Sequence, residues 1–238
     1  MIDFKTEKLI PLCEDFGFTL EKTACKQLNI YGNLLLEWNE KINLTAITEP
    51  EAVLYKHFYD CILPFKHFSP KKEASLIDVG TGAGFPSMVM KIVRPDLKVC
   101  MLDSLNKRIL FLNEVLSQIG LTAETVHSRA EDGGRNPKYR EKFDYATARA
   151  VANLPCLSEY CLPFVKKGGS FIALKGPNGR EEADAAKNAI KLLGGGETKI
   201  ICENLRDDEQ RTLIFIKKIS QTPPKYPRIS TKISKQPL

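Results

Sequence analysis

Residues 75–87 read SLIDVGTGAGFPS. The run Leu76, Ile77, Val79 is short and apolar, carries a single acid at Asp78, and breaks into Gly80-Thr81-Gly82-Ala83-Gly84. A run of this length bounded by glycines reads as a buried strand. Pro86 suits the first turn of a helix, where its missing N–H removes nothing from the hydrogen-bond ladder. The apolar MVMKIV after Ser87 continues that helix. Strand, glycine loop and helix together form a backbone cradle at the carboxyl end of a parallel strand, where open α/β sheets bind ligands.

The same alternation extends outward from this stretch. Strands are expected at 98–103, 122–128, 143–147 and 170–176, and two more in ETKIICE and QRTLIFIKKI. The last two read as an antiparallel pair at one edge, joined by an acidic turn near Asp207-Asp208. Helices are expected between the strands. Ser104 is placed to cap one whose stripe is Leu105, Ile109, Leu112, Leu116 and Ile119, with Gly120 as its stop. Helix 153–166 contains Pro155 and Pro163 and is expected to be short or kinked. Helix 180–193 carries acids early and Lys187 and Lys191 late, matching its dipole. Upstream, residues 21–44 place Ala24, Leu28, Tyr31 and Trp38 at helical spacing, and Pro50 opens another helix with Val53, Leu54, Phe58, Cys61 and Ile62 on one face. The fold expected is α/β: a doubly wound, Rossmann-like sheet of seven strands with an N-terminal helical extension. The divisions expected are 1–70 for the helical extension, 71–220 for the core and 221–238 for a basic tail.

Bulk properties bound the partners. The chain has 238 residues, 43% hydrophobic and 27% charged, enough to bury a substantial core. Its formal net charge of +6 resides in Lys217, Lys218, Lys225, Arg228, Lys232 and Lys235, a segment without acids. A neutral body with a basic, proline-punctuated tail points to a polyanionic partner. The seven cysteines form no CxxC and have no histidine at metal-ligand spacing, so buried thiols in a reducing cytoplasm are expected rather than a metal site. No run has the length of a membrane span.

Gly-x-Gly-x-Gly is shared by several nucleoside-binding sheets, and its spacing departs from the G-x-G-x-x-G that receives a pyrophosphate. Asp78 just before the loop would oppose a pyrophosphate and suit a ligand bearing an ammonium and a sulfonium, as S-adenosylmethionine does. Asp103, at the end of the second strand, is placed to accept from ribose hydroxyls in either ligand class. Ser128-Arg129-Ala130-Glu131, at the end of the third, is placed to meet an adenine. After the fourth strand DYATARAVANLP replaces the Pro-Pro-aromatic cluster of base amino-methylation. Pro155-Cys156 lies too far along for the cytosine carbon-5 nucleophile, so Cys156 reads as a core thiol. Arg149 and Lys175 close strands four and five as basic groups at the top of the sheet and are the catalytic candidates. An acceptor with a free lone pair, such as N7 of guanine, needs no general base, only placement in line with the methyl.

Taken as a set, WNEKINLTAIT (38–48), HFYDC (57–61), LIDVGTGAGFPS (76–87), LDSLNKRILFLN (102–113), SRAED (128–132), ARAVANL (148–154), GGSFIALKG (168–176) and KYPR (225–228) resemble the RsmG (GidB) methyltransferases. That resemblance implies transfer of a methyl group from S-adenosyl-L-methionine to N7 of a guanosine in 16S ribosomal RNA. It implies cofactor contacts at Gly80, Gly82, Phe85, Ala130, Glu131 and Arg149, with Asp103 at the ribose. It also implies 16S ribosomal RNA or a small-subunit particle as partner and a shaping role for Asn39, Asn43, His57 and Asp60 near the mouth; a monomer in the cytoplasm is expected. Ser87 stands where the family usually has glycine, Cys61 stands where serine is common, and the residues after Arg228 keep the charge but not the family's glycine-containing pattern. Methylation of another RNA, a small molecule or a protein, and a NAD-binding oxidoreductase, are the alternatives.

Overall fold

The computed structural model describes residues 1–205 and 209–238; the expected turn at Asp207-Asp208 lies outside them. Seven strands form one sheet in the order β3-β2-β1-β4-β5-β7-β6. They are β1 (Ser75–Val79), β2 (Lys98–Asp103), β3 (Glu124–His127), β4 (Phe143–Arg149), β5 (Val165–Lys175), β6 (Gly195–Asn204) and β7 (Gln210–Lys218). The first five pair in parallel, while β7 runs antiparallel to both β5 and β6. The chain reverses its direction of travel across the sheet between β1 and β4, which makes the crevice above that pair the topological switch point.

Helices cover both faces. One face carries α5 (Ser87–Val93), α6 (Asn106–Ile119) and the N-terminal helices α1 (Leu9–Asp15) and α2 (Lys22–Ile42). Phe4, Leu28, Tyr31 and Leu35 share a single apolar cluster there with Leu76, Met88 and Phe111, so the N-terminal helices are part of the sheet's own core. Gly32, inside α2, leaves room for the Phe4 ring, which a Cβ would meet at 2.6 Å. The other face carries α7 (Ala130–Arg135), α8 (Leu154–Cys161), α9 (Gly179–Ala185) and α10 (Lys187–Leu192), packed on Ile77, Ala146, Phe171 and Ile214. The single helix expected over 180–193 is split at Ala186, whose N–H is shared between the carbonyls of Glu182 and Ala183 in a tightened turn.

A continuous rod joins the N-terminal helices to β1: α3 (Pro50–Val53), a wide π segment (Leu54–Tyr59), α4 (Asp60–Ile62) and a 3-10 turn (Leu63–Lys66). Glu49 caps its start by accepting from the N–H groups of Glu51 and Ala52. Ser104 does not cap α6. Leu105 takes that position, and its N–H is received by Asp103 at 2.9 Å. Among the described residues no helix is long and apolar enough to cross a membrane.

The C-terminal segment departs furthest from its expected role. It ends in α11 (Ser230–Lys235) with Ile233 fully buried. Two of its six cations point inward. Lys218 is fully buried, donating to the carbonyls of Leu162 and Leu193, and burial pushes its pKa down to about 8. Arg228 is clamped on the buried Glu159, at 2.7 Å between Nη2 and Oε2. The alternation of charge with Pro and Tyr seen in the sequence therefore marks a packed strap as much as a solvated one.

Candidate active site

The glycine loop is built by backbone conformation. Gly80, Gly82 and Gly84 have φ of 71°, 61° and 100°, a region that side chains bearing a Cβ rarely adopt. Asp78 organises the loop from below. One of its carboxylate oxygens accepts from Thr81 Oγ1 (2.7 Å), Ser87 N (3.2 Å) and Ser87 Oγ (2.6 Å); the other has no partner among the described residues. Asp78 is fully buried, and desolvation pushes its pKa up to about 7 against those three hydrogen bonds. The ligand-facing role expected for Asp78 is thus corrected. An acid at the end of a buried strand requires donors, and Thr81 and Ser87 supply them. Ser87 neither crowds nor caps α5; it ties the helix start to β1.

From above, Asp103 binds the same loop, its Oδ2 accepting from Gly82 N at 2.9 Å and from Arg108 at 3.2 Å. From the side, the Tyr31 hydroxyl of α2 donates to the carbonyl of Ala83. Its ring lies 5.5 Å from Phe85 and 5.7 Å from Phe58. Tyr31 was read from the sequence only as a core position. Helical spacing identifies a buried face but not a hydrogen bond made to a residue 52 positions away.

Two depressions open at the carboxyl ends of the strands. The first is a cleft of about 380 Å³ at the β1/β4 switch point. Gly80, Leu102, Ala130 and Glu131 line it on one side, and Val151, Tyr160 and Ser234 on another. It holds three of the expected cofactor residues: Gly80, Ala130 and Glu131. The other four expected there, Gly82, Phe85, Asp103 and Arg149, lie outside its lining and shape the loops around it.

The second depression, about 340 Å³, is lined by His57, Asp60, Arg149, Ala150, Lys175 and Arg211 among others. Both catalytic candidates are found here, and both are already engaged. Lys175 is buried, donating to the Ala152 carbonyl at 2.6 Å and pairing with Glu182 at 2.7 Å. Arg149 donates to Asp60 at 2.8 Å and to His57 Nδ1 at 3.1 Å, with its guanidinium over the Phe85 ring at 4.6 Å. Asp60, 3% exposed, also receives Arg211 at 3.0 Å, so one carboxylate bridges two guanidinium groups. Asn39 accepts from the N–H groups of Leu44 and Thr45 and closes the C-terminus of α2, where Asn43 adopts a left-handed conformation. Asn39 therefore acts through the backbone of the loop that carries Thr45.

His57 stacks on Phe85 at 4.3 Å and lies 2.8 Å from Thr45 Oγ1. His57 Nδ1 lies 3.1 Å from Arg149, which can only donate, and 3.1 Å from the Lys56 carbonyl, which can only accept, so the two neighbours favour opposite tautomers. Burial, and then the charge of Arg149, push the imidazole pKa down to about 3. Because the folded value lies below the unfolded one, the neutral ring's contribution is complete above pH 6.5 and is lost as pH falls towards 3. The stability advantage of the parent over His57→Gln is therefore expected to shrink between pH 7 and pH 4, read as the difference between their thermal midpoints. Asp78 titrates in the opposite sense over part of this window but is common to both proteins and cancels. A difference that stays constant across this range would show that His57 is not held neutral.

The family model for rRNA small subunit methyltransferase G matches residues 24–214. The chain belongs to this family. It is 51% identical over 230 residues to ribosomal RNA small subunit methyltransferase G of Clostridium perfringens strain 13, covering 95% of each chain. It is likewise 51% identical over 232 residues to the protein of that name from Acetivibrio thermocellus, covering 97% of this chain and 95% of the other. Among solved structures, a methyltransferase from Pyrococcus furiosus matches with a TM-score of 0.56 at 16% identity, over 82% of this chain and 99% of that one. A Methanococcus maripaludis protein assigned as an S-adenosyl-L-methionine-dependent methyltransferase matches with a TM-score of 0.55 at 15% identity, over 80% and 93%. At that identity the structural likeness speaks for the fold: the Rossmann-like methyltransferase sheet expected from the sequence. Membership of the methyltransferase G family makes the chain a methyltransferase acting on ribosomal RNA.

Proposed function

We propose that the chain transfers a methyl group from S-adenosyl-L-methionine, bound in the cleft at the β1/β4 switch point, to N7 of a guanosine in 16S ribosomal RNA. The observation that carries the donor assignment is the cleft itself. Its floor is a glycine turn with no room for a side chain, since a Cβ on Gly80 would meet Val151 at 2.8 Å. Its walls combine apolar Leu102 and Val151 with the polar Ser128–Glu131 loop, a lining that fits an uncharged purine and ribose. S-adenosyl-L-methionine supplies an electrophilic methyl group on a sulfonium.

In this reading Gly80, Ala130 and Glu131 meet the donor directly. Gly82, Phe85, Asp103 and Arg149 hold the loops in shape around it. The acceptor approaches over the second depression, where Lys56, Arg149 and Arg211 outnumber their partners Asp60 and Glu209 by one positive charge, available to a phosphate-bearing strand. A guanine N7 attacks with its own lone pair, so no side chain need remove a proton. That agrees with a site in which the His57 ring is buried between Arg149, Lys56 and Thr45 and Lys175 is neutralised by Glu182. The chain's contribution is then positioning and exclusion of water. A monomer working on ribosomal RNA in the cytoplasm is the setting inferred.

The test is methylation of 16S ribosomal RNA, free and within small subunits, taken from a strain lacking the gene. The expected result is one new 7-methylguanosine that depends on added S-adenosyl-L-methionine. Methyl label in another RNA, or at another atom of the base, would overturn the assignment.

A further inference from the structure

The strap formed by the chain's last residues carries an assignment of its own. Ser230 and Ser234 of α11 line the same cleft as Gly80 and Glu131, together with Cys156 and Tyr160 of α8. The strap is fastened at defined points. Arg140 donates to the carbonyls of Tyr226 (2.8 Å) and Thr222 (2.7 Å), and Arg135 to that of Pro227 (2.9 Å). Pro227 seats against Gly134, where a Cβ would stand 3.1 Å from its ring. Glu159, buried in α8, receives both the backbone N–H (2.7 Å) and the guanidinium of Arg228. Beyond that clamp Ile233 is fully buried, and its carbonyl receives the Cys156 thiol at 3.4 Å.

We propose that residues 226–235, fastened at Arg228, form a wall of the donor cleft and meet the adenosyl part of the donor. The inference rests on the donor assignment above and adds to it a binding segment remote in sequence from the glycine loop. A segment serving only as an RNA grip would turn its cations to solvent and have no reason to anchor Arg228 on a buried carboxylate. The charged pair, the proline seat and the buried isoleucine all act to fix the position of two small residues at the cleft. Small side chains at 230 and 234 leave the cleft its volume. The two serines thus set where the wall stands, and the KYPR run holds it there.

The experiment is titration calorimetry with S-adenosyl-L-homocysteine on the full chain and on Ser234→Ala, Ser234→Trp and Gly80→Val. Ser234 is exposed on α11, so the tryptophan is expected to leave the thermal midpoint unchanged. It is expected to weaken binding by at least about tenfold by filling the cleft from the strap side. Ser234→Ala, which keeps the space, should lose far less affinity than Ser234→Trp. Amide exchange in residues 229–238 should slow when the ligand is added. Parental affinity in Ser234→Trp, or exchange in the strap indifferent to the ligand, would overturn the proposal even though Gly80→Val still lost binding. A Ser234→Trp variant with unchanged donor affinity and a raised KM for RNA would instead assign the strap to RNA. Should the parent fail to bind the ligand at all, the donor assignment falls and the wall with it.

Discussion

Gly80→Val is expected to lose binding of S-adenosyl-L-homocysteine by roughly 30-fold to a few thousand-fold, the two contributions being left-handed strain of about 1–2 kcal/mol and overpacking of about 1–3 kcal/mol. Both follow from the geometry. Gly80 has φ of 71°, where a β-branched side chain is disfavoured, and its Cβ would lie 2.8 Å from Val151 Cγ2. Relief requires either the glycine turn or the 150–152 segment to move, and Gly80 and Val151 both line the cleft. Gly82 offers a contrast. Its φ is 61°, but the nearest atom to a Cβ there is Gly80 O at 4.0 Å, so Gly82→Ala is expected to cost less. Calorimetry on the two variants ranks them. Equal affinities, or parental affinity in Gly80→Val, would contradict the placement of the donor against this turn.

Asp60→Ala is expected to be the most destabilising single change among the polar residues of the site. Its carboxylate is 3% exposed and faces Arg149 on one oxygen and Arg211 on the other. Removing it leaves the buried Arg149 guanidinium without a counter-charge, facing an Arg211 that keeps only Glu209 at 3.1 Å. Breaking a buried pair from one side costs about 3–5 kcal/mol, which for a chain of this size lowers the thermal midpoint by roughly 6–20 °C. Asp60→Asn keeps the shape and one acceptor, and should fall between. A melt of Asp60→Ala within 2–3 °C of the parent, roughly the shift from 1 kcal/mol, would show that solvent already screens the bridge. Arg149 and Arg211 come from β4 and β7, strands separated in the sheet by β5. Asp60 therefore fastens the N-terminal rod across the top of the sheet.

The sheet was legible in the sequence because each strand is an apolar run closed by glycines or by a polar turn, and alternation with helices leaves few topologies. The glycine loop was legible for the same local reason. What escaped were features that depend on residues distant in sequence or on packing that overrides propensity. Helix α7 has two glycines in six residues, AEDGGR, a poor helix former. Those glycines let Leu102, Phe164 and Pro227 approach where a Cβ would collide. From the sequence Asp78 reads as addressed to a ligand, because an acid just before the glycine loop suits an ammonium or a sulfonium. The fold supplied hydroxyl and backbone donors instead. The Asp60 bridge spans 151 residues to Arg211 and leaves no local trace. The basic tail was legible as charge but not as anchorage, because composition does not report which cations find an internal acceptor.

The stretch that follows β4 is shared between two cavities. Arg149 and Ala150 line the second depression, whereas Val151 and Ala152 line the first. Ala150 has φ of 57°, so the chain turns sharply at the boundary, and Lys175 grips the far side through the Ala152 carbonyl. A ligand on one side that shifts this four-residue partition changes the shape of the other side with it. Where such a shift occurs, occupancy of the two cavities is thermodynamically linked, and linkage is reciprocal. Whatever factor the donor contributes to the affinity for RNA, RNA must return to the affinity for the donor, and the exhausted donor, lacking its methyl group, would carry a different factor from the fresh one.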